Sequence, residues 1–196
     1  MFDEGVLRSE FFEGLEQLDH TIAAAVREAG CVRCGGRLHR GDFARKPRGG
    51  SRAEAGEGQT RRISFCCGAE GCRKRATPPS LRFLGRRVYL EAAVLVASAI
   101  GLAQARARDI REATGVPART VRRWLAWWSG PFAATPVFAE LCARFVGGLP
   151  RLALPAAIVE KMEGSTTARL ELLARWLAPL TTNSVPDGSR FLRALS

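Results

Sequence analysis

Six cysteines, five of them between positions 31 and 72, constrain this chain more than any other feature of it. Cys31-Val32-Arg33-Cys34-Gly35-Gly36 is a CxxCGG turn, in which two thiolates point at one centre while the glycines let backbone amides turn toward the sulfurs. Phe65-Cys66-Cys67-Gly68-Ala69-Glu70-Gly71-Cys72 supplies the second half of a tetrahedral site. Cys72 is its natural fourth ligand. Cys66 and Cys67 compete for the third place because adjacent strand residues face opposite sides. Cys67 is preferred, since Phe65 then shares its face and lies just inside the knuckle; Cys66 is left as a buried thiol. The expected cofactor is a structural Zn2+ on Cys31, Cys34, Cys67 and Cys72, with Cys66 the alternative to Cys67. Large apolar residues are few between Cys31 and Arg75, so metal would supply folding energy that the segment otherwise lacks.

Other cysteine chemistries fit less well. A redox CxxC expects a preceding strand, and none precedes Cys31. A zinc deaminase needs a His-x-Glu element, which neither His20 nor His39 begins. Cys142 reads as a small buried hydrophobe in a helix. The first thirty residues carry Asp3, Glu4, Glu10, Glu13, Glu16, Asp19 and Glu28 before any apolar stretch of signal type, and the longest apolar run, Ala92 to Ala103, is too short for a bilayer. The expectation is a cytoplasmic protein with no membrane partner, in a compartment where paired cysteines bind metal rather than form disulfides.

Charge points to the partner. The formal net charge is +11, and it is unevenly spread: −5 over 1–30, +11 over 31–87, +3 over 88–130 and +2 over 131–196. Lys46, Lys74 and Lys161 are the only lysines, so nearly all the cations are arginines, whose planar fork suits phosphate and guanine edges. A basic cluster of this kind expects a polyanion such as DNA, RNA or an acidic membrane surface, and double-stranded DNA becomes the expected partner through the helix-turn-helix described below.

Periodicity predicts a mainly α chain with a small β zinc ribbon. An acidic amphipathic helix over Glu10–Ala29 occupies 1–30, its stripe made by Phe11, Phe12, Leu15, Leu18, Ile22 and Val26. The ribbon covers 31–76, with strands over Arg37–Arg45 and Arg61–Cys66 and a mobile loop over Lys46–Gln59. Thr77-Pro78-Pro79-Ser80 breaks regular structure and opens a basic connector, 77–87. Helices over Val88–Ile100, Gln104–Thr114 and Pro117–Trp128 make a helix-turn-helix unit, 88–130. A helical tail, 131–196, follows with segments at Phe132–Phe145, Ala156–Glu163 and Ser165–Leu177 and a frayed end over Thr181–Ser196; it packs on the rest of the chain in preference to a second copy.

Within the helical unit, Gly115 can take a turn's left-handed conformation and Pro117 suits the first turn of the next helix. Val121, Trp124, Leu125 and Trp128 then form an apolar stripe at i, i+3, i+4 and i+7. Arg119 and Arg122 are the expected base contacts and Arg123 a phosphate contact, with Thr120 beside them. Arg73, Lys74, Arg75, Arg82, Arg86 and Arg87 are expected to follow the phosphate backbone.

Gly115-Val116-Pro117-Ala118-Arg119-Thr120-Val121-Arg122-Arg123-Trp124 resembles the helix-turn-helix of insertion-sequence transposases and related regulators, which commonly read Gly-Val-Ser-x-x-Thr-Val-x-x-Trp. Arg111 stands where that pattern usually has a small residue, and Thr114 where a leucine often precedes the glycine. The four-cysteine segment upstream is similar to the ribbons that precede such helices and help grip the element's ends, so the resemblance spans about 31–130. It implies a DNA-binding accessory or regulatory protein of a mobile element, with a recombinase or transposase as a further partner and a homo-oligomer as one possible form. A host transcription regulator with the same modules, and a protein-binding assembly adaptor, are the alternatives. A transposase would continue into a catalytic domain with carboxylates on strands. Here the acids after Gly130 are Glu140, Glu160, Glu163, Glu171 and Asp187, on helical or tail segments, so no enzyme is expected.

Overall fold

Helix α1 (Ser9–Ala29) buries Phe11, Phe12, Leu15, Ile22, Ala23 and Val26 along one face, as its helical spacing predicts. One acid breaks that face: Asp19 is as buried as its apolar neighbours. The helix stops at Gly30, whose φ of 75° lies in the left-handed region. A Cβ at Gly30 would sit 2.8 Å from the Gly35 carbonyl oxygen, so helix stop and cysteine turn are built on one glycine. The computed structural model describes residues 9–45, 57–83, 94–96, 98 and 106–185.

Five short strands follow: β1 (Leu38–Arg40), β2 (Phe43–Ala44), β3 (Arg61–Arg62), β4 (Phe65–Cys67) and β5 (Arg75–Ala76). They form an antiparallel sheet in the order β1-β4-β5 and a separate β2-β3 pair. The two expected strands, Arg37–Arg45 and Arg61–Cys66, are therefore each split in two. At its break the Gly41 amide donates to the Ser64 carbonyl and the Ser64 amide to the Asp42 carboxylate. Strand β5, which the sequence did not suggest, pairs Phe65 with Ala76 and Cys66 with Arg75. Of the expected Lys46–Gln59 loop, 46–56 lie outside the described residues; Glu57–Thr60 form a 3-10 turn, and Gln59 is buried with its amide nitrogen donating to the Phe12 carbonyl.

Over the part of the expected basic connector that is described, 77–83, the chain is held inside the protein instead of lying exposed, while 84–87 lie outside the described residues. Pro78 to Phe83 are buried. Asp19 accepts from the Ser80 hydroxyl (2.6 Å), the Leu81 amide (2.7 Å) and Arg82 Nε (2.9 Å), while Arg82 Nη1 lies 3.2 Å from Glu16. The Ser80 amide donates to Thr181 Oγ1, the Thr77 amide to Ser184 Oγ, and Thr182 Oγ1 to the Thr77 carbonyl. Prolines here remove backbone donors without exposing the chain, because side chains from both ends satisfy the donors and acceptors that remain. The expectation of fraying is likewise corrected over 181–185, where Thr181 and Val185 are buried; 186–196 lie outside the described residues.

Val94–Val96 and Ser98 are helical, within the segment expected as Val88–Ile100, the rest of which lies outside the described residues. Helices α2 (Ala107–Thr114) and α3 (Ala118–Ser129) are joined through Gly115, at φ 66°. Val94, Ile110, Val116, Val121 and Trp124 make a small core of their own, with Leu125 packed on it. Trp128 turns instead to the main core, donating to Ser98 Oγ at 3.2 Å and meeting Phe132 edge-on at 4.7 Å. Trp127, off the stripe, rests against the same Phe132. Helices α4 (Pro136–Arg144), α5 (Ala156–Glu160) and α6 (Thr166–Leu177) follow among the described residues; Thr135 and Ser165 cap α4 and α6 by accepting from Phe138 and Ala168 amides. Leu141, Ile158, Leu170, Leu173 and Leu177 share one core with α1 and the sheet, so the tail packs on its own chain. The protein is mainly helical with a small antiparallel sheet and a four-cysteine cluster.

Candidate metal centre and nucleic-acid interface

The sequence spacing brings Cys31, Cys34, Cys67 and Cys72 together, with all four sulfurs within 4.8 Å of one another. Cys31 and Cys72 are 3.7 Å apart, and Cys34 and Cys67 3.5 Å. A tetrahedron with metal–sulfur bonds of about 2.3 Å has edges of about 3.8 Å, so the cluster has the dimensions of a mononuclear four-thiolate site. Two backbone hydrogen bonds build the first half tightly: the Cys31 amide donates to the Gly36 carbonyl and the Gly35 amide to the Cys31 carbonyl. A Cβ on Gly36 would meet the Cys67 and Cys34 sulfurs at 3.1 and 3.2 Å, which is why glycine belongs there. In the second half the Cys72 amide donates to the Ala69 carbonyl and the Ala69 amide approaches Cys67 Sγ at 3.4 Å. Cys67 and Phe65 face inward on β4, and Cys66 between them points the other way, toward Gly41. His39 lies beside Gly68, outside the sulfur cluster.

Electrostatics suit thiolate binding. Backbone amides, that of Arg33 first, outweigh burial and lower the Cys31 thiol to about 7, helped by the Cys34 amide and the neighbouring sulfurs. At Cys67 the Ala69 amide acts downward, but burial and the three surrounding cysteines overcome it and push the thiol up to about 12. The group could hold a metal ion.

The expected nucleic-acid residues fall into three sets. Arg119, Arg122 and Arg123 are exposed on α3, opposite buried Val121, Trp124 and Trp128, and Thr120 is half-buried beside them. Thr114, the departure in the resemblance, is buried: its hydroxyl donates to the Ile110 carbonyl at 2.6 Å and accepts from the Val116 amide, tying the turn together. Arg73 and Lys74 are exposed next to Cys72, whereas Arg75 donates to the Gly41 carbonyl and Ser64 Oγ. Arg82 is withdrawn altogether. Its guanidinium is 1% exposed and held by Asp19 and Glu16, so the expected phosphate contact is corrected to a structural ion pair. Arg86 and Arg87 lie outside the described residues.

Two features escaped the sequence reading. Asp19 had a signal, since it follows Leu15 by four and precedes Ile22 by three, inside the apolar stripe. The polar run Thr181–Ser184 had none, because its partners lie some hundred residues away. Comparison with family models, with curated proteins and with solved structures gave no match.

Proposed function

We propose that the chain is a DNA-binding accessory or regulatory protein of a mobile element, in which α2, the Gly115 turn and α3 form a helix-turn-helix that reads a duplex site. The observation that carries this reading is the exposed Arg119–Arg122–Arg123 face of α3, backed by a separate small core and a left-handed glycine in the turn before it. A helix held from behind with arginines at its first turns suits the major groove, where Arg pairs with guanine edges. In the same proposal the four-cysteine cluster holds Zn2+ as a structural ion, because a closed set of four thiolates leaves no open position for substrate.

Selection of binding sites from a randomised duplex library, followed by Arg119→Ala and Arg122→Ala, tests it. Each change should relax preference at a base position by about 1–3 kcal/mol. Selection that returns no preferred sequence would remove this reading in favour of a protein-binding adaptor, and a site shared with chromosomal promoters would favour a host regulator. Metal analysis of reduced protein should give one zinc per chain.

A further inference from the structure

A groove of about 1170 Å³ opens between the sheet and residues 180–184, beside the cysteine cluster but distinct from α3. We propose that it is a second nucleic-acid contact, a seat for the phosphodiester backbone of a strand bound without regard to sequence. The proposal rests on the DNA-binding reading for its ligand, and uses different residues.

Arg45, Arg73, Lys74 and Arg75 contribute to its walls, and none of its described lining residues is acidic. A surface of one sign with low-dielectric walls concentrates polyanions. The cations are also oriented. The Phe43 ring lies 6.0 Å from the Arg45 guanidinium carbon and 5.7 Å from that of Arg75, which fixes both by cation–π attraction. Arg73 has φ 44°, the one positive value among the described non-glycine residues. That conformation is costly for a side-chain-bearing residue and suits glycine, so an arginine there points to a use for its charge. On the opposite wall Thr182 and Ser184 are occupied in holding Thr77, while Asn183 between them is exposed. The groove's open form fits an extended strand better than an enclosed small molecule.

The test compares wild type, Arg73→Gly, Lys74→Ala, the pair together and Arg119→Ala, all as full-length zinc-loaded protein. The probes are a duplex of random sequence and one of its strands, titrated between about 50 and 200 mM salt. Arg73→Gly should keep its metal and melt no lower than wild type, because glycine accepts the local backbone, so weakened binding cannot be assigned to unfolding. The double variant should bind both probes roughly tenfold more weakly and lower the duplex salt slope by about 1.8, two phosphate contacts' worth. Unchanged affinity and slope in the double variant overturn the assignment, as does a wild-type protein that binds neither probe. Wild type whose binding to both probes is weakened by the groove changes, while selection from the randomised duplex library returns no preferred sequence, would leave the groove standing and overturn the reading of α3.

Discussion

Asp19 is the acid on which residues 80–83 are hung, and replacing it with alanine should cost about 3–5 kcal/mol. The magnitude follows from what is stranded. The Ser80 hydroxyl and Leu81 amide each lose a buried acceptor, at about 1–3 kcal/mol per group. The Arg82 guanidinium, on a side chain 1% exposed, loses its buried carboxylate and is left beside Glu16, whose side chain is 28% exposed and partly solvated. Against a typical domain stability of about 5–15 kcal/mol, this brings the fold near its limit. With a urea slope of about 2 kcal/mol per molar, the unfolding midpoint should fall by about 1.5–2.5 M. Replacing both partners, Asp19→Leu with Arg82→Met, removes the buried charges together and should recover the share of the loss that comes from the stranded guanidinium, while Ser80 and Leu81 stay without their acceptor. Equilibrium urea unfolding, followed by tryptophan fluorescence, measures all three. A single-variant loss below about 1 kcal/mol, or a double variant no better than the single, would refute the claim that a desolvated charge pair holds this segment.

Metal affinity should rise with pH: Cys31, lowered to about 7, is about half thiolate at neutrality and is reclaimed by protons below it, and Cys67, pushed up to about 12, must release a proton when a metal binds. Chelator competition at pH 6, 7 and 8 reads this directly, and a flat profile contradicts it. Cys34→Ser should lose the metal and become protease-sensitive over 31–75, while Cys66→Ser should retain full zinc stoichiometry by elemental analysis. Gly115→Ala should destabilise by about 1 kcal/mol, and Gly115→Asn by less, because open space surrounds the position and only its backbone angle resists a side chain; equal losses in thermal melts would point to a packing cause instead.

Where the sequence could be read, local geometry made it legible. Strand alternation alone separates Cys67 from Cys66, and Phe65 marks the inner face. The α3 stripe needs only 3.6-residue periodicity, and Val121, Trp124 and Trp128 are buried accordingly. The connector was misread because its composition resembles that of a linker. Prolines and arginines say where regular hydrogen bonding ends, but the segment is held by a carboxylate 63 residues before Arg82 and by a hydroxyl 101 residues after Ser80. Such pairings leave no period in the chain. Strand β5 is two residues long and exists through its pairing with β4, so propensity had little to register. The groove is of the same kind, assembled from strand ends and a tail segment remote in sequence.

The Thr77–Ser184 hydrogen bond also sets an order of events during synthesis. Its two ends are 107 residues apart, whereas the outermost cysteines of the cluster are separated by only 41. At about 5–20 residues per second, Ser184 is made roughly 5–20 s after Thr77. Throughout that interval the nascent chain already contains all four thiols but lacks the wall that residues 77–83 rest on. An ion captured early would hold the sheet as a local chelate until the tail arrives to close over it, so metal supply would govern how much newly made protein survives to the last step.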